Sequence, residues 1–146
     1  EKIYLHETSP SIENRIVKKT ARNTLAQIEH ETYANFPQLI QQLKDKGNTI
    51  IGIEITDKSV AIQGFDFKNH KKIVLLLGSE RNGIENINLV DKTVAIPMYG
   101  RNSSMNVIHS LSIALYEVTN QLTINTDQLS TSTTNKQIHK QTHQQQ

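Results

Sequence analysis

Residues 73–84 read IVLLLGSERNGI, five aliphatic residues in a row that stop on a glycine. A strand with one wet face alternates apolar and polar residues. An unbroken apolar run is instead buried on both faces, as in a parallel sheet between helix layers. This run therefore points to an α/β chain, and the other elements are read around it.

Further strands are predicted at Lys2–Leu5, over the segment NTIIGIEI (residues 48–55) and at Val94–Ile96. Ser11 is placed to cap a helix that carries Ile12, Ile16, Val17 and Thr20 at helical spacing, and residues 21–28 extend it as a second short helix. Asn35-Phe36-Pro37-Gln38 is a stronger start signal. Asn caps, Pro in the first turn loses no hydrogen bond, and Phe36, Leu39, Ile40 and Leu43 form a stripe that ends at Gly47. From Ser104 to Val118, residues Val107, Ile108, Leu111, Ala114, Leu115 and Val118 mark a last amphipathic helix. The order is strand, helices, helix, three strands, helix: α/β with a mainly parallel sheet.

The 146 residues suit one domain with a single core. Beyond residue 121 the composition turns to Ser, Thr, Asn and Gln, too polar to offset the entropy of ordering. Residues 1–121 are thus expected to form the domain and 122–146 a disordered tail. His139 and His143 stand four apart in that tail, a spacing that its polarity leaves without a metal role, and no metal is expected. The net charge of +2 permits a polyanionic partner without arguing for one. No cysteine is present, which excludes thiolate metal sites, disulfides and cysteine nucleophiles. No apolar run approaches the roughly 20 residues of a membrane span, and the first residues lack a signal-peptide core. A soluble, cytoplasmic protein is expected.

A parallel sheet carries its functional loops at the carboxyl ends of its strands. Gly78 follows one predicted strand, and Gly100 follows another by a few residues. Without a Cβ at either position, two backbone-lined loops side by side could hold a flat heteroaromatic ring such as adenine. Spacing alone does not separate that reading from two ordinary turns, where glycine is common. GSERNG lacks the Lys-Ser/Thr of a phosphate-binding P-loop, and no G-x-G-x-x-G opens a helix.

LLLGSERNGI resembles the second motif of the SpoU (TrmH-like) branch of the SPOUT RNA methyltransferases. IPMYGRNSSMNVIHSLSIALYEV is similar to that branch's third motif, and the resemblance covers about residues 1–120. It implies a SPOUT fold with a deep C-terminal trefoil knot that holds S-adenosylmethionine, a homodimer, and methylation of a ribose 2′-hydroxyl of tRNA or rRNA.

Carried onto this sequence, it implies that Ile53, Glu54, Ile55, Gly78 and Ile96 through Met98 meet the cofactor largely by backbone. Ser104 and Met105 join them, with Met105 against the adenine. Glu80, Ser104 and Asn106 take the catalytic positions, and Arg81 and Arg101 are placed to contact RNA. The family's first motif, an Asn…Arg stretch, has no counterpart here. Lys2–Leu5 matches the family's second strand, and Asn14-Arg15 lies in the wrong segment to substitute. The expectation is a SPOUT domain truncated at its N-terminus. Two functions remain open, an RNA 2′-O-methyltransferase or a module that binds cofactor or RNA without turnover. A nucleotide-binding α/β protein of unrelated type is a weaker third reading, which a knot-free topology would support.

Overall fold

The computed structural model describes residues 2–21, 27–79, 81–101 and 104–123. The chain divides into two units, residues 1–46 and 47–146.

In the first unit, β1 (Lys2–His6) pairs in parallel with β2 (Glu29–Tyr33), in register from Lys2↔Glu29 to His6↔Tyr33. Glu29 and Glu31 share one face of β2, and Lys2 Nζ reaches both, at 3.0 and 2.7 Å. The hydrogen bond from Lys2 holds the Glu29 carboxyl below the usual carboxylate range. The sequence reading misses β2, because Glu29 to Thr32 are all exposed and carry no apolar alternation.

The helix predicted from Ser11 starts later, as α1 (Arg15–Ala21). Ser11 Oγ accepts from Glu13 N within a turn, and it is Asn14 Oδ1 that accepts from Ile16 N at 2.8 Å and caps the helix. In the predicted second helix, residues 22–26 lie outside the described residues and 27–28 form a turn and bend. α2 (Phe36–Asp45) follows expectation. Asn35 Oδ1 accepts from Gln38 N at 3.0 Å, Ile40 and Leu43 are buried, and Gly47 takes φ +79° just past the end.

The second unit holds an all-parallel sheet of β3 (Thr49–Ile53), β4 (Val60–Ala61), β5 (Ile73–Leu77) and β6 (Lys92–Ala95), in the order β4-β6-β3-β5. β6 starts two residues earlier than predicted and leaves Ile96 beyond its end, and β3 likewise leaves Glu54 and Ile55 in the loop. The two-residue β4 is exposed and gives no sequence signal. The last helix, α3 (residues 107–123), also starts later than predicted.

The core collects on one face of this sheet. Ile51, Ile53 and Val94 are buried there with Ile62, Phe67 and Ala114 of α3, and Leu75, Leu77 and Val118 pack against them. On the opposite face Gly52 lies under Ile84, Ile87 and Val90. A Cβ at Gly52 would meet Ile84 Cδ1 at 3.0 Å. Both faces of β3 are thus covered, as the unbroken apolar runs require. The far end of α3 is tied down by Gln121, whose side-chain amide accepts from Phe67 N at 3.0 Å and donates to Phe65 O at 2.9 Å.

β3 and β6 are joined above their first paired residues by a side chain. Asp91 Oδ2 accepts from the N–H of fully buried Ile50 at 2.8 Å, while Asp91 N donates to Ile50 O at 2.9 Å. Asp91→Ala leaves that N–H without an acceptor and is expected to destabilise the fold by about 1–3 kcal/mol. Asp91→Asn keeps an acceptor oxygen and is expected to lose less. Urea unfolding of the three proteins gives the comparison.

Candidate active site

β3, β5 and β6 end at one level, with Ile53 opposite both Leu77 and Val94. The residues that follow these ends enclose a cleft of about 210 Å³. Ile53, Glu54 and Ile55 line it from β3, Leu77, Gly78, Ser79 and Gly83 from β5, and Ile96 and Met98 from β6. Ser104, Met105, Val107 and Ser110 close it from the segment that leads into α3. The segments after Leu77 and after Ala95, which carry the two motifs, therefore share one cavity.

The glycine that ends β5 has a cause other than ligand approach. Ser79 and Gly83 form an antiparallel bridge, each N–H donating to the other's carbonyl at 3.0 Å. This folds the loop back onto Gly78, where a Cβ would sit 2.0 Å from Gly83 C and 2.3 Å from Ile84 N. Gly83 is constrained in turn. It has φ +63°, and a Cβ there would stand 2.5 Å from Glu54 Oε2. That carboxylate accepts from Ile84 N at 3.1 Å through Oε2 and from Ile55 N at 3.0 Å through Oε1. Gly78, Gly83 and Glu54 are thus one interlocked unit. The expectation that Glu54 acts mainly by backbone omits its side chain, which spans from β3 to the loop after β5. Gly100, by contrast, has open space where a Cβ would point and does not line the cleft.

Asn106 is the cap of α3, two residues past Ser104, where the sequence places the helix start. Asn106 Oδ1 accepts from Ile108 N at 2.9 Å, and its carbonyl accepts from Ser110 N at 3.0 Å. With the amide oxygen committed, Nδ2 is the side-chain atom left to donate outward. Asn106 is exposed and does not itself line the cleft. Ser104 and Met105 precede the helix rather than open it.

Arg81 and Arg101 are exposed, one on each loop that borders the cleft, and neither is a lining residue. Glu80 lies outside the described residues, as do His139 and His143. Among the described residues no group of three or more side chains could hold a metal ion, and no helix is long and apolar enough to cross a membrane. Leu77, Ser79, Gly83, Val107 and Ser110 also line the cleft, beyond the residues expected there. The last two sit three apart on α3, a helical spacing visible in the sequence.

The model of the SpoU rRNA Methylase family matches residues 1–116. Among solved structures, the TrmH/SpoU tRNA modifying enzyme of A. aeolicus is similar at a TM-score of 0.72 and 26% identity, covering 82% of this chain and 60% of that one. The SpoU methyltransferase AviRb from Streptomyces viridochromogenes, in complex with the cofactor AdoMet, has a TM-score of 0.73 at 20% identity, covering 83% and 49%. An AdoMet-bound rRNA methyltransferase from Sinorhizobium meliloti has a TM-score of 0.74 at 22% identity, covering 83% and 46%. The chain thus spans about half to three-fifths of these proteins' length, and the last two bear on the fold alone. No curated protein matches the sequence.

The interlock of Gly78 with Gly83 makes the two loop glycines of the motifs unequal. Gly78→Ala drives a Cβ into backbone and is expected to lower stability by about 3 kcal/mol, near the upper end for one substitution. Gly100→Ala meets nothing and is expected to stay within about 0.5 kcal/mol of the parent. Thermal melts of both variants check the contrast.

Proposed function

The chain belongs to the SpoU rRNA Methylase family, and on that premise we propose that it is an RNA methyltransferase domain that transfers a methyl group from S-adenosylmethionine to a ribose 2′-hydroxyl of tRNA or rRNA. The observation that carries this reading is the single cleft built from the ends of β3, β5 and β6 and the Ser104-Met105 segment.

The cleft's chemistry fits the cofactor. Ile53, Leu77, Ile96 and Val107 make its walls apolar, and Met98, Ser104 and Met105 have no hydrogen bond among the described residues. Apolar walls alternating with the polar groups of Glu54, Ser79, Ser104 and Ser110 suit a heteroaromatic ring whose rim is read by hydrogen bonds. When bound, S-adenosylmethionine supplies an electrophilic methyl group on a sulfonium.

The protein's own part is positioning. In the proposed arrangement Gly78, Ile96, Met98 and Met105 hold the cofactor, with Ile53, Glu54 and Ile55 beside them. Asn106 Nδ2, oriented by the cap, donates to the acceptor hydroxyl, and Ser104 and Glu80 complete the catalytic set. Arg81 and Arg101 take RNA phosphates. The domain is proposed to span residues 1–121 with its closing helix running on to 123. β6, the last strand in sequence, lies inside the sheet between β3 and β4, which supports the family's knotted path. Ile108, Leu115 and Tyr116 are exposed on α3, which supports a homodimer.

Tritiated methyl incorporation into bulk tRNA and rRNA, followed by alkaline hydrolysis, tests the reaction. A 2′-O-methyl group blocks attack on the adjoining phosphodiester, so label is expected in alkali-resistant dinucleotides. Asn106→Ala is expected to cut incorporation about 10²-fold, as loss of one preorganised donor does. Label in mononucleotides would place the methyl group on a base. Cofactor binding by calorimetry with no incorporation would leave a binding module.

A further inference from the structure

Tyr99 is the most exposed large apolar side chain described, at 94%. It makes no ring contact and no hydrogen bond among the described residues. Single exposed apolar residues are ordinary on protein surfaces. This one follows directly on Met98, which lines the cleft, so its Cα lies 3.8 Å from that of a cleft residue. Gly100 behind it has open space on its Cβ side, so that side adds no bulk beside the ring. Arg101 is two residues on, and Arg81 is on the other loop that borders the cleft. Both are exposed, and neither has an ion pair among the described residues.

We propose that the methyl-accepting RNA presents an unpaired nucleotide whose base stacks on the Tyr99 ring at the lip of the cleft, with its flanking phosphates held by Arg81 and Arg101. The inference rests on the reading of the chain as an RNA methyltransferase and names the form of the substrate. A base inside a duplex is already stacked on both faces, so only an unpaired one can lie on a protein ring. Tyrosine offers that face at low conformational cost, having two side-chain torsions. The geometry of a nucleotide supplies the rest. The ribose lies between base and phosphate, so a base on Tyr99 and a phosphate on a neighbouring arginine leave the ribose at the cleft mouth. Stacking of this kind accepts any base, so Tyr99 selects for unpaired structure rather than for sequence.

The chain contains no tryptophan, so the emission of a Tyr99→Trp variant reports on this position alone. Titration with a single-stranded RNA oligonucleotide is expected to quench that emission saturably, and the same sequence in a perfect duplex is expected to quench it far less. Tyr99→Ala is expected to raise the KM for RNA about 5- to 150-fold, the range seen when one stacking side chain is removed, with S-adenosylmethionine affinity unchanged. Tyr99→Phe restores the parent value, and Tyr99→Leu does not. Equal quenching by both RNAs, no quenching, or an unchanged KM in Tyr99→Ala overturns the proposal, as does a Leu variant that behaves like Phe. Failure of the parent protein to methylate any RNA counts against the transferase reading alone, because the fluorescence titration needs no turnover.

Discussion

One carboxylate holds the cleft together. Glu54 sits just past the end of β3 and accepts the N–H of Ile84, so the loop leaving β5 is fastened to the strand beside it. The Ser79–Gly83 bridge closes the loop on itself, and Gly78 is the only residue type that fits beneath. Ile84, Ile87 and Val90 then seat the rest of the segment over Gly52. A loop this long could carry its own conformational freedom. Here hydrogen bonds hold it at one end and apolar packing at the other, so its inner surface is a fixed wall.

That wall is continuous with the core. Ile53, Leu77 and Ile96 belong both to the apolar cluster of the second unit and to the lining of the cleft. The cleft is the place where the sheet's core stops being covered by protein. Its apolar floor is therefore backed by the packing of Phe67, Val94 and Ala114.

How much of this was legible in the sequence varies with the kind of signal. The run Ile73–Leu77 and the Asn35-Phe36-Pro37 start act through periodicity and capping within a few residues, and both appear where expected. β2 is invisible because a strand whose residues are mostly solvated has no apolar rhythm to detect. The helix starts at Asn14 and Asn106 were misplaced because Ser11 and Ser104, two or three residues earlier, are capping residues as well, and only tertiary contacts decide between them. That the segments after β3, β5 and β6 border one cleft follows from strand order, since the carboxyl ends of neighbouring parallel strands lie together. The reason for Gly78 is not local. It depends on a neighbour, Gly83, and on a carboxylate thirty residues from Ile84, neither of which local sequence connects.

The amide of Gln121 joins α3 to the backbone of Phe65 and Phe67, at the opposite end of the helix from the cleft. Asn106 and Gln121 are about 22 Å apart along the helix at 1.5 Å per residue. The middle of the helix is seated in the core through Ala114 and Val118, so Gln121 fixes the far end of a rod already held at its centre. The axis on which the Asn106 cap sits is thus set by contacts that lie away from the cleft.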